Sequence, residues 1–134
     1  MSEPGMETGG TLRVLIAEDD EQIAGTLADI LQGAGYQTAI AADGAAAVEH
    51  IRRGDEFHAV ILDLVMPHLD GMTALRYIRQ LRPHLKPVIL AADITAEDRR
   101  AALDFGAAVV LQKPTDIPQL LEVLGRLANG AGQD

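Results

Sequence analysis

The chain has 134 residues, of which 20 are acidic, 11 are basic and 48% are apolar, giving a formal charge of −9. That is the size of one domain, with enough aliphatic material for a core and too much for a disordered tail. The charge argues against nucleic acid, whose binding depends on phosphate neutralisation, and against an anionic membrane surface, while the lack of cysteine excludes disulfides, thiolate nucleophiles and cysteine-bound zinc.

Residues 1–10 (MSEPGMETGG) hold three glycines and a proline without periodicity and read as a flexible leader, with Met6 an alternative start. The first apolar run, 12–17, is short and contains Arg13, which fits neither a signal peptide nor a membrane span, so a cytoplasmic protein is expected. Five such runs, at 12–17, 36–41, 59–64, 87–91 and 108–112, alternate with amphipathic stretches at 21–32, 44–53, 72–81, 96–105 and 117–128. The runs are near-continuous, as parallel strands covered on both faces are, and the more polar second run suits a sheet edge. The last helix is clearest, with Ile117, Leu120, Leu121, Leu124 and Leu127 on one face. Gly33, Gly54 and Gly106 are placed to close helices in a left-handed conformation. Asp20 is read as a helix cap, and Thr95 with Asp98 as a capping pair. The domain is set at 11–129 and a flexible tail at 130–134. Five strand–helix units imply an α/β fold, an open doubly wound parallel sheet with right-handed crossovers.

In such sheets ligands bind beyond the carboxyl ends of the strands. Those ends carry Glu18-Asp19-Asp20, Asp63, Ala91-Ala92-Asp93 and Gln112-Lys113-Pro114. Taken singly each feature is ordinary: an acidic triplet is helix N-terminal charge, Asp63 a loop residue, Lys113 solvated surface. Together they are harder to dismiss. Asp63 lies within AVILDLVM, where a lone buried carboxylate costs several kcal/mol, on the order of that for any unpaired buried ion, and so needs a cation. Glu18, Asp19 and Asp63 offer hard oxygens for Mg²⁺ (or Mn²⁺), and Lys113, one of two lysines, offers a second cation. His50, His58, His68 and His84 show no metal-ligand spacing and read as structural or surface residues.

The segments VLIAEDD (14–20), VILDLVMP (60–67), Asp70-Gly71 and Lys113-Pro114 resemble, in order and position, the receiver domain of bacterial two-component response regulators. The resemblance covers about 12–128. It implies a five-stranded (βα)5 flavodoxin-like sheet of order 2-1-3-4-5, with three helices on one face and two on the other. It makes Asp63 the phosphoacceptor, Asp19 a direct Mg²⁺ ligand, Glu18 a ligand through water and the Val65 backbone carbonyl the remaining protein ligand. Lys113 would pair with Asp63 and then with a phosphoryl oxygen flanked by Ala91 and Ala92, and the Lys113–Pro114 bond would be cis. The donor would be a sensor histidine kinase or a histidine phosphotransfer protein, docking at the first helix with its polar Gln22, Thr26, Asp29 and Gln32. A homodimer through helix 4, strand 5 and helix 5 is the oligomer such a domain forms, and the downstream protein target is unspecified.

Two positions depart from the family. Ala91 stands where a Thr or Ser hydroxyl normally grips the phosphoryl group, and Val110 where a Tyr or Phe normally turns inward with it. Thr95 is placed as a cap and not as a substitute. Losing a hydrogen bond to a charged group forfeits about 1.5–3 kcal/mol, enough to mute the conformational switch by about one to two decades. Val65 and Asp93 occupy positions that tune dephosphorylation and suggest slow decay. The expected function is therefore a stand-alone receiver, not an enzyme, that accepts phosphate on Asp63 and relays it by protein contact. The alternatives are a phosphate sink or a pseudo-receiver that is never phosphorylated. True enzymes on similar sheets are disfavoured, because no Asp-x-Asp, flavin-phosphate loop or Gly-x4-Gly-Lys motif follows the first strand.

Overall fold

The computed structural model describes residues 12–66 and 69–130. Strands β1 (Leu12–Ala17), β2 (Tyr36–Ala41), β3 (Ala59–Asp63), β4 (Val88–Ala91) and β5 (Val109–Gln112) alternate with helices α1 (Glu21–Gly33), α2 (Gly44–Arg52), α3 (Gly71–Leu81), α4 (Ala96–Asp104) and α5 (Ile117–Gly130). All strand pairs are parallel and the order is β2-β1-β3-β4-β5, the flavodoxin-like α/β arrangement expected. β2 is indeed an edge, with Ile40 left 47% exposed.

The near-continuous apolar runs have a simple cause. Successive strand residues point to opposite faces, and both faces are covered. Leu15, Val60, Leu62, Ile89 and Val110 pack on one side against α2, α3 and α4 through Val48, Ile51, Leu75, Ile78 and Ala102. Val14, Ile16, Ile61, Leu90 and Leu111 pack on the other against α1 and α5 through Leu27, Leu31, Leu120 and Leu124. With almost no aromatic bulk, this fit of aliphatic side chains makes the core.

Every helix starts on a side-chain cap. Asp20 accepts from the N–H groups of Gln22 and Ile23, Asp43 from Ala46, Asp70 from Thr73, Thr95 from Asp98 and Asp116 from Gln119. Each satisfies donors the helix leaves open and sets negative charge or an oxygen dipole at its positive end. Of the glycines expected in left-handed conformation, Gly54 and Gly106 adopt it, with φ of 97° and 107°. Gly33 does not: it is the last residue of α1, and the chain reverses two residues later at Gly35, φ 100°. The expected leader lies outside the described residues, as does all of the expected tail after Gly130, which instead ends α5.

Two helices begin with Asp-Gly, and space decides the glycine in both. A Cβ on Gly44 would lie 2.1 Å from the Leu69 carbonyl oxygen, and one on Gly71 would lie 2.3 Å from that of Asp63 and 2.7 Å from the Leu64 Cα. The Gly71 N–H also donates to the Leu64 carbonyl at 3.0 Å. The start of α3 is thus seated directly on the end of β3. Replacing Gly71 by Ala is expected to cost about 1–3 kcal/mol, as overpacking against fixed backbone does. A urea melt that matches wild type would show that α3 can back away freely.

Candidate functional site

The register that pairs Ala17 with Leu62 carries one residue further to set Glu18 beside Asp63 at the carboxyl edge of the sheet. Both are buried, at 3% and 5% exposure, whereas Asp19, where the chain turns towards α1, is exposed. Carboxylate oxygens of Glu18, Asp19 and Asp63 lie within 4.8 Å of one another. Lys113, at the end of β5, reaches across β4 to this group. Its Nζ stands 3.0 Å from Asp63 Oδ2 and 3.2 Å from Glu18 Oε1. The remaining oxygens are held by the main chain: the Asp20 N–H donates to Glu18 Oε2 at 3.1 Å and the Val65 N–H to Asp63 Oδ1 at 3.3 Å.

The electrostatics follow from crowding. Burial pushes the Glu18 carboxyl above its ordinary 4.5; the Asp20 N–H opposes this and the neighbouring Asp63 adds to it. Burial works against the Lys113 ammonium, yet the hydrogen bonds and charges of Asp63 and Glu18 outweigh it and hold its pKa above the ordinary 10.5. When all are ionised, three carboxylates face one ammonium, a formal excess of two negative charges. A divalent cation offsets that excess, and oxygen donors of this kind are those Mg²⁺ takes. The donor set therefore fits the ion.

The other positions singled out in the sequence fall around this centre. Val65 follows β3 with its side chain 77% exposed. Ala91 ends β4, 2% exposed, and its carbonyl accepts from the Lys113 N–H at 2.8 Å; Ala92 beside it is exposed. The Lys113–Pro114 peptide is cis. Val110 is buried one strand away, and the Thr95 hydroxyl oxygen accepts from the Asp98 N–H. The histidines stand apart from the acidic group: His50 Nδ1 lies 2.8 Å from Asp55 Oδ2, His58 Nδ1 accepts from the Arg13 N–H at 3.0 Å and His84 is exposed, while His68 lies outside the described residues.

Two features escape a reading of the sequence. Arg99 of α4 donates from Nη1 to the Val110 carbonyl at 3.0 Å, tying α4 to β5. Nothing in an exposed-looking RR pair signals which arginine turns inward. The close approach of Gly71 to Asp63 is the second: Asp-Gly at two helix starts is the signal that could have pointed to it, but only packing reveals its partner.

Comparison with known proteins agrees with this geometry. The family model for the response regulator receiver domain matches residues 14–125. The chain therefore belongs to the response regulator receiver domain family, whose members work in phosphorylation-based two-component signalling, bind Mg²⁺ through acidic residues and interact with histidine kinases or phosphotransfer proteins. It is 36% identical over 110 residues to the response regulator MprA of Mycobacterium leprae, covering 82% of this chain and 48% of that protein. The chain thus spans about half the length of the curated relatives it matches. Among solved structures it is similar to the Francisella response regulator 1452 receiver domain, with TM-score 0.82 and 29% identity, covering 88% of this chain and 97% of that one. The CheY-like receiver domain protein of Methanospirillum hungatei gives a TM-score of 0.87 at 26% identity, covering 92% and 98%.

Two measurements test the charge balance. Mg²⁺ is expected to raise the urea midpoint, by about 2.7 kcal/mol of stability at a hundredfold excess over its Kd. Asp19→Asn is expected to abolish that gain while leaving stability in EDTA equal to or above wild type, because it removes repulsion and no described ion pair. A Mg²⁺ response that survives the change would place the ion elsewhere. For Glu18, a folded pKa above 4.5 means the folded state binds the proton first, so in EDTA stability rises as pH falls through the folded pKa. Wild type is expected to gain on Glu18→Gln over that interval, down to pH 4.5, and parallel pH profiles would contradict it.

Proposed function

We propose that this chain accepts a phosphoryl group on Asp63 from a phosphohistidine of a sensor kinase or phosphotransfer protein, and passes the signal on by protein contact with an altered internal switch. The observation that carries the reading is the Lys113 ammonium at 3.0 Å from Asp63 within a three-carboxylate group.

In the proposed reaction an Asp63 oxygen attacks the phosphorus in line, a P–O bond forms and the P–N bond to the imidazole breaks, its electron pair leaving with the nitrogen. Little bond-making help is needed, so positioning and charge compensation dominate. Asp19, Asp63 and the Val65 carbonyl, with Glu18 acting through water, would hold Mg²⁺, which when bound would supply positive charge to the phosphoryl oxygens. Lys113 starts as the partner of Asp63 and stays within reach of a phosphoryl oxygen once the carboxylate has become an acyl phosphate. The Val65 N–H orients the carboxylate through its second oxygen. Water attack on phosphorus then breaks the P–O bond to Asp63, releasing inorganic phosphate and restoring the carboxylate.

A cleft of about 640 Å³ opens beside Lys113, bounded by Gln22, Ile23, Thr26 and Leu27 of α1 and by Pro114 and Ile117. Its position next to the acceptor and its apolar lining suit a histidine-bearing helix laid along α1. Ala91 brings no hydroxyl to the phosphoryl group and Val110 no aromatic ring, so signal output through the usual pairing of those positions is muted. A domain that is never phosphorylated would keep the fold, but nothing in that role calls for burying Asp63 against Lys113.

Incubation with Mg²⁺ and acetyl phosphate or phosphoramidate is expected to add one phosphoryl group by mass to wild type and none to Asp63→Asn. No gain in wild type, or a gain that survives the substitution, would overturn the proposal.

A further inference from the structure

The charge of this molecule is unevenly spread. Residues 71–92 contain no acid at all, although the chain holds 20, and they carry Arg76, Arg79, Arg82 and Lys86. Half of this basic segment is α3, with Arg76 and Arg79. Its buried side is Gly71, Ala74, Leu75 and Ile78, which turns Thr73, Tyr77 and Leu81 outward on successive turns, flanked by Arg76 and Gln80. Tyr77 is 47% exposed and Leu81 41%. The Arg76 guanidinium lies 5.0 Å from the ring centroid of Phe105, itself 39% exposed, so the end of α4 extends the same face. Thr73, Arg76, Tyr77 and Gln80 bound a depression of about 190 Å³, roomy enough for one bulky side chain.

Single exposed apolar residues are ordinary. Here an aromatic and aliphatic stripe coincides with uncompensated positive charge. Among the described residues none of the four cations pairs with a carboxylate; Arg79 and Arg82 donate instead to the Pro83 and Ile51 carbonyls. Arginine and tyrosine around a shallow depression are the residues that anchor protein interfaces. The remaining surface is strongly negative, which repels polyphosphate and anionic lipid alike.

We infer that the α3–Phe105 face docks an acidic, amphipathic segment of a protein partner, whose carboxylates meet Arg76 and whose aromatic or aliphatic anchor enters the depression beside Tyr77. The surface is separate from the Asp63 centre, and the inference does not depend on phosphorylation.

A random peptide library displayed on phage and selected on the unphosphorylated chain tests it, followed by fluorescence anisotropy of the enriched peptides. Enriched sequences are expected to be net negative and to carry Phe, Trp or Leu. Their affinity is expected to fall about tenfold or more on Arg76→Glu and on Tyr77→Ala, each variant first shown by a urea melt to be folded under the binding conditions, and to weaken with added salt. Failure to enrich, enrichment of neutral or basic peptides, or acidic peptides indifferent to both changes would overturn it. So would a single-stranded oligonucleotide or phosphatidylserine vesicles binding this face in place of peptide.

Discussion

Two ionised carboxylates buried side by side at the end of a sheet repel one another unless a cation offsets them, and Lys113 is that cation. Its Nζ lies within 3.2 Å of both Glu18 and Asp63. The rest of the molecule can be read as what holds those three groups in one place. β1 and β3 bring the acids together by register, β5 delivers the ammonium from across β4, and main-chain N–H groups occupy the oxygens that Lys113 leaves. Such an arrangement is poised and not at rest. The excess negative charge suits a small divalent cation, the kind this family binds through acidic residues, and the lysine offsets part of that excess by itself.

Much of this was legible in the sequence because each signal had a local cause. Apolar runs bounded by turns marked the strands, since a strand covered on both faces has no polar position to spare. Thr95 and Asp20 announced helix starts because capping involves a residue and the amides two or three positions on. Asp63 stood out as an acid inside an apolar run, which makes sense only if something nearby compensates it. Long-range partnerships were less visible. That Gly33 would stay helical while Gly35 turned the chain depends on where α1 must stop to let β2 pair with β1. Likewise the inward turn of Arg99 depends on a carbonyl eleven residues away in another element.

No hydroxyl and no aromatic ring stand at residues 91 and 110, on the two strands beyond β3. Ala91 and Val110 are buried and small or aliphatic, so neither can trade one hydrogen-bonded position for another. The first turn of α3, by contrast, meets the backbone of Asp63 and Leu64 through Gly71. Movement at the end of β3 therefore reaches α3 through main-chain contact, a stiffer link than a rotating side chain, though limited to small displacements.

The bond from Arg99 to β5 has a property of its own. It ends on the main-chain carbonyl of residue 110, and a carbonyl is present whatever side chain that residue carries. The attachment of α4 to the sheet is thereby insulated from the identity of residue 110. Any side chain at residue 110 that fits the core therefore leaves this tie between α4 and β5 in place.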